Sequence, residues 1–254
     1  MSIGNILGNI PKIVHVSWKN KNVLDSSYCM IQKGIGNILK LNPDYKVIIY
    51  DDDNINEYLK IKLTEEDYFH IKDRYIVEKV DLWRLLIMYN EGGIYTDIDR
   101  YYNIPFSKFI HHNTSMVLPM YMDCDFSQDI MISAPLNPIF KCAIDLNLKR
   151  RKDGCKDIYY LGPKTYMHAI VNIFCGVSIV TNSLPRDCNN KIMEDIASNE
   201  SFETFKENPH GLTTFFDSQL NNIEYTDFKH IYNKEKHELY SAYNVGKWGD
   251  YTKK

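Results

Sequence analysis

Val77-Glu78-Lys79-Val80-Asp81-Leu82-Trp83-Arg84-Leu85-Leu86-Ile87-Met88-Tyr89-Asn90-Glu91-Gly92-Gly93-Ile94-Tyr95-Thr96-Asp97-Ile98-Asp99-Arg100-Tyr101 is the run on which the reading of the chain turns. Its first half predicts a helix, with Leu82, Leu85, Leu86 and Tyr89 recurring at the spacing of a 3.6-residue turn. Asn90, Gly92 and Gly93 predict its end, because glycine accepts the left-handed backbone that closes a helix. Ile94 to Asp99 then alternates apolar and polar, which predicts a strand finishing in two carboxylates. On an extended chain Asp97 and Asp99 point to one side and repel each other. A hard divalent cation shared with a ligand's phosphates relieves that repulsion; a solvated acidic turn is the plainer alternative. Asp81 and Arg84, three apart, share a helix face offset from the leucine stripe, where an exposed intrahelical ion pair is the plainer reading.

Working outward, Ile10 to Trp18 predicts a strand buried on both faces, as in a parallel sheet. His15 within it is expected in the core, since no partner stands at metal-ligand spacing. Trp18, at the strand's carboxyl end, lies where open α/β sheets bind nucleotides, with a core or rim aromatic as the alternative. A helix capped by Ser26 or Ser27 is expected to run to about Leu39, with Ile31, Ile35 and Ile38/Leu39 facing inward. Lys46 to Tyr50 predicts the second strand, and Asp51, Asp52 and Asp53 follow it. Asp52 and Asp53 read as helix-capping acids, whereas Asp51 is open between a cap and a base or ribose contact. The order strand, helix, strand, helix, helix, strand predicts one nucleotide-binding α/β half.

Past Asp99, Met116 to Leu118 and Gln128 to Pro135 read as further strand segments. Asn137-Pro138 supplies an N-cap and a first-turn proline for a helix to about Arg150. Lys149 to Lys152 is expected to be a solvated helix end. Gly162-Pro163 predicts a turn opening another helix, and Asp187 to His210 is expected to be a loop.

The pattern Asp81-x-x-Arg84 followed by Gly92-Gly93-Ile94-Tyr95-x-Asp97-x-Asp99 resembles the sugar-nucleotide-binding core of the DXD glycosyltransferases of the glycosyltransferase family 32 type, related to the clostridial glucosylating toxins. Ile10-Pro11-Lys12-Ile13-Val14-His15-Val16-Ser17-Trp18 resembles that family's opening strand, and Tyr240 to Trp248 its closing segment. The resemblance implies the GT-A fold, an α/β architecture with a Rossmann-like nucleotide-binding half and a mostly parallel central sheet. It divides a single 1–254 domain into a nucleotide-sugar half (10–103) and an acceptor side with closing segment (104–254). It implies a divalent metal, Mn²⁺ or Mg²⁺, on Asp99 and Asp97, with Tyr95 against the metal, ribose or sugar. Asp81 and Arg84 are then expected to hold donor-sugar hydroxyls, and Trp18 to stack on the base. Trp248 is expected at the phosphate-to-sugar bridge and Asn244 at the metal or pyrophosphate. Lys247 stands where the family usually has serine, and is expected to offset diphosphate charge. Gln128 and Asp129 are candidate acceptor contacts by the resemblance, with a plain strand edge as the reading that the residues themselves favour. The implied activity is transfer of a hexose from a UDP- or GDP-sugar to a glycan or other hydroxyl acceptor with retention; a non-catalytic nucleotide-sugar or glycan-binding relative is the alternative.

The composition of the 254 residues agrees with a globular protein: 44% hydrophobic and 25% charged. A formal charge of −3 predicts no general attraction to nucleic acid or anionic membrane. Cys29, Cys124, Cys142, Cys155, Cys175 and Cys188 form no Cys-x-x-Cys pair and read as free thiols. No run matches a secretory leader or a membrane span, so a cytoplasmic protein, or a module of something longer, is expected.

Overall fold

The computed structural model describes residues 9–19, 21, 29–98, 100, 102, 105–108, 110–112, 114–117, 126, 128–175 and 202–203. Among these residues six strands form one sheet: β1 (Ile13–Ser17), β2 (Lys46–Tyr50), β3 (Gly93–Thr96), β4 (Met116–Val117), β5 (Ile130–Ser133) and β6 (Phe202–Glu203), in the order β2-β1-β3-β5-β4-β6. β1 runs parallel to both β2 and β3; β5 is antiparallel to β3 and β4; β6 is parallel to β4. Among the described residues seven α-helices accompany it: α1 (Cys29–Leu41), α2 (Asp52–Lys62), α3 (Glu65–Phe69), α4 (Ile76–Asn90), α5 (Pro138–Lys152), α6 (Ile158–Leu161) and α7 (Pro163–Cys175).

Alternate strand residues feed two apolar layers, which is why the central strands read as continuous hydrophobic runs. Tyr95 and Met131 join a core with Ile55, Leu59, Leu82, Leu86, Ile139, Phe140 and Ile170 from α2, α4, α5 and α7. Val14, Val16, Ile94, Ile130 and Ile132 join a second core with Ile35 and Ile38 of α1. Leu39, expected to face inward with Ile38, is instead 44% exposed. His15 lies in the sheet as expected, 1% exposed.

α4 is the most enclosed helix. Every residue from Asp81 to Met88 is buried, because the helix lies between the sheet and α2, α5 and α6. Its exit is steric necessity. Gly92 and Gly93 have φ of 64° and 94°. A Cβ on Gly93 would stand 2.6 Å from the Ile13 carbonyl oxygen, and one on Gly92 2.6 Å from the Pro135 nitrogen.

Three local expectations are corrected. The N-cap of α2 is Asp51, whose carboxylate accepts from the Asn54 amide at 2.9 Å; Asp52 and Asp53 occupy the first turn. The basic cluster is not a solvated end. Lys149 is exposed, but Arg150 and Arg151 are 9% and 5% exposed, because α5 docks its last turn on α4 and α6, where Glu78 is buried and requires a cation. The 187–210 loop contains β6; its other residues lie outside those described.

Candidate active site

The chain leaves β1 for β2 on one side, then crosses to β3 on the other. A crevice opens at the carboxyl ends of such strands, where the order reverses. Ser17 and Trp18 close β1 there, Asp51 follows β2, and Asp97 follows β3. Because β5 runs the opposite way, Gln128 and Asp129 reach this rim as β5 begins. The middle of α4 supplies Asp81 and Arg84.

Arg84 joins these elements. Its guanidinium lies 3.2 Å from Asp81 Oδ1 and 3.5 Å from Asp97 Oδ1, and donates to the Gln128 carbonyl at 3.1 Å. It also stacks over the Tyr95 ring, 4.8 Å from the centroid. The Tyr95 hydroxyl donates to Asp97 Oδ1 at 2.6 Å and is 3.4 Å from Ser17 Oγ. The Gln128 amide donates to Asp81 Oδ1 at 3.1 Å. Asp81 and Arg84 are both buried, so the exposed ion-pair alternative is removed.

The electrostatics follow from burial. Withdrawal from water pushes the Asp81 carboxyl up to about 6, with the Arg84 cation opposing the rise. Burial also raises the Tyr95 phenol well above its ordinary range, so it remains a hydrogen-bond donor toward Asp97.

β3 is shorter than expected and stops before Asp97. β3 ends at Thr96; the Asp97 amide donates to the Asp129 carbonyl at 2.8 Å, and the Asp97 carbonyl accepts from Arg100 N at 3.2 Å, which starts a turn. β1 pairs with β3 through Val14–Ile94 and His15–Tyr95, so that ladder ends before Asp97. Asp99, Asn244, Lys247 and Trp248 lie outside the described residues.

Of the expected residues, Asp81, Arg84, Tyr95 and Asp97 meet in one network. Trp18 stands at the same rim, its amide bonded to the Tyr50 carbonyl at 3.0 Å, half-buried against the second core. Asp51 is engaged as a cap, with Lys21 Nζ 3.5 Å away. Gln128, expected among acceptor contacts, is 7% exposed and bonded to Asp81. Asp129 is paired with Arg100. Ser17 and Gln128 were not legible as part of this network, because their partners lie 78 and 47 residues away.

Among the described residues no group of three or more His, Cys, Asp or Glu is arranged to hold a metal. The described carboxylate Asp97 fits a hard cation: its side chain is 35% exposed, and its Tyr95 hydrogen bond and Arg84 ion pair both fall on Oδ1. Cys142 and Cys155 are free thiols. No described helix is long and apolar enough to cross a membrane.

Residues 30–116 match the family model described as glycosyltransferase sugar-binding region containing DXD motif. Inositol phosphoceramide mannosyltransferase 3 of Schizosaccharomyces pombe is 31% identical over 107 residues, covering 41% of this chain and 28% of that protein. Mannosyl phosphorylinositol ceramide synthase SUR1 of Saccharomyces cerevisiae is 27% identical over 146 residues, covering 53% of this chain and 34% of that protein. The chain thus aligns with about a third or less of these relatives' length. The solved structure of PaToxG Glycosyltransferase superposes with a TM-score of 0.52 at 20% identity, over 72% of this chain and 84% of that one, a likeness of fold.

Proposed function

We propose that this chain, whose residues 30–116 match the glycosyltransferase sugar-binding region containing a DXD motif, transfers a hexose from a nucleotide-sugar to a glycan or other hydroxyl acceptor, with retention of anomeric configuration. The observation that carries the reading is the buried Arg84, which ties Asp81, Gln128 and Asp97 together at the switch point of the sheet. The two relatives carry mannosyl transfer in their names, so GDP-mannose heads the donor panel, ahead of UDP-sugars, and inositol phosphoceramide heads the acceptors.

In this reading Asp97 and Asp99 hold Mn²⁺ or Mg²⁺, with Asn244 as a further ligand. Bound there, the ion supplies positive charge to the departing diphosphate. The protein's own part is placement. Tyr95 fixes the Asp97 carboxylate through its 2.6 Å bond. Asp81 and Arg84 orient hydroxyls of the sugar, which contributes the proximity term. Trp18 stacks on the base, Asp51 lies near it at the end of β2, Lys247 offsets diphosphate charge, and Trp248 covers the bridge from phosphate to sugar. A retaining transfer requires no dedicated general base from the protein.

Release of nucleoside diphosphate from GDP-mannose and UDP-sugars, with and without Mn²⁺, tests this. Turnover is expected with metal, and Asp97→Ala or Asp99→Ala is expected to reduce kcat by roughly 100-fold or more while the protein stays folded. Donor binding without turnover for any acceptor would establish the non-catalytic relative instead. Full activity of both variants would remove the metal role.

A further inference from the structure

Asp81 shows an asymmetry. Its Oδ1 takes both Arg84 and Gln128 Nε2, whereas its Oδ2 is buried with no hydrogen-bond partner among the described residues. Oδ2 lies against the turn between α6 and α7: a Cβ on Gly162 would stand 2.3 Å from it and 3.0 Å from Cγ. Real Cβ atoms do not approach so closely, so any side chain at 162 displaces the carboxylate.

The turn is braced back to α4 itself. Asn147 Nδ2 donates to the Leu161 carbonyl at 2.6 Å, and Arg151 Nε donates to Asn147 Oδ1 at 2.7 Å. Arg151 then reaches Glu78 Oε2 at 2.8 Å, and Glu78 stands one turn before Asp81 on the same helix. On the other side Arg150 donates to the Tyr160 carbonyl at 2.8 Å and to Thr165 Oγ1 at 2.9 Å. Glu78, Arg151, Asn147, Leu161, Gly162 and Asp81 therefore form a closed circuit of buried contacts across α4, α5 and the turn.

We propose that the α6–α7 turn is the positioning element for Asp81, with Gly162 as the contact that sets the carboxylate and Asn147 as the strut that holds the turn against it. The inference rests on the donor-sugar reading given above for Asp81. Set this way, Oδ1 stays on Arg84 and Gln128, which holds the guanidinium in place for the donor sugar. A displaced carboxylate loses Arg84 or Gln128. The effect belongs to the sugar and not to the diphosphate.

Calorimetric titration with Mn²⁺ present, using GDP-mannose and UDP-glucose beside GDP and UDP, tests this. Gly162→Ala and Asn147→Ala are each expected to weaken the nucleotide-sugar at least tenfold while the matching nucleoside diphosphate changes less than twofold. Equal loss of both ligands, or an unchanged sugar affinity, overturns the positioning role. Wild-type protein that binds nucleoside diphosphate but neither nucleotide-sugar overturns it too, while sparing the nucleotide site; binding of no ligand removes the donor reading itself. Unfolding adds a readout independent of ligand: Asp81→Ala removes the atoms that a residue-162 Cβ meets first. The double variant Asp81→Ala/Gly162→Ala should therefore melt close to Asp81→Ala alone, even if Gly162→Ala does not fold. A double variant far less stable than Asp81→Ala refutes the contact.

Discussion

His15 is held by two hydrogen bonds, from Nε2 to the Gly92 carbonyl at 3.0 Å and between Nδ1 and the Tyr50 hydroxyl at 3.1 Å. A carbonyl only accepts, so Nε2 carries the proton and Nδ1 accepts from Tyr50. Burial lowers its pKa to about 4, with the Gly92 bond opposing. The unfolded chain, with an ordinary histidine near 6.5, binds a proton first as pH falls. Stability from this residue is thus intact above 6.5 and lost on descending to 4; His168, lowered to about 4 by burial and by Arg150, acts in the same direction. Urea unfolding should give a free energy lower by about 2 kcal/mol at pH 5 than at pH 7 on account of His15. His15→Gln should flatten that dependence; an unchanged slope would exclude His15 as its source. At this same scale the sequence named Asp81 and Arg84 but not their burial, since an i, i+3 pair has one spacing whether water or Gln128 lies beside it.

The elements were legible where one periodicity ruled. β2 runs over Lys46–Tyr50 as expected, α4 begins one residue earlier than expected, and Asn137-Pro138 opens α5. Boundaries slipped where a turn cuts an alternating pattern short: β3 stops at Thr96, and the Asp97 carbonyl accepts from the Arg100 amide at 3.2 Å. Arg150 and Arg151 look like any helix-end cations until α4 is packed against them, with Glu78 73 residues away. The α4–β3 junction offers the sharpest test at this scale. With φ at 94° and the Ile13 carbonyl in the way, Gly93→Ala combines a left-handed penalty with backbone overlap. A stability loss of about 3 kcal/mol or more is expected in chemical denaturation. A loss below about 1 kcal/mol would mean that β1 and β3 separate freely.

Across the molecule, the crevice draws on β1, β2, β3, β5 and α4, so occupants that touch several of these should reinforce one another. A ligand stabilises the folded state according to its concentration over its dissociation constant. Mn²⁺ and nucleoside diphosphate together should therefore raise the melting temperature beyond the sum of their separate effects, and Asp97→Ala should remove the excess. Strictly additive shifts would mean that the two sites do not communicate. The sheet also fixes what can vary. Asp97 leaves β3 and Asp129 enters β5 while bonded to each other, amide to carbonyl, at 2.8 Å. Between them the described residues return to the fold, with Tyr102 and Phe106 buried in the second core and β4 paired to β5. Rewriting that stretch wholesale would strip β4 from the sheet and aromatic rings from the core, so sequence change there is tolerated at the exposed positions Ser107, Lys108, His111 and His112 and nowhere that the sheet or core depends on.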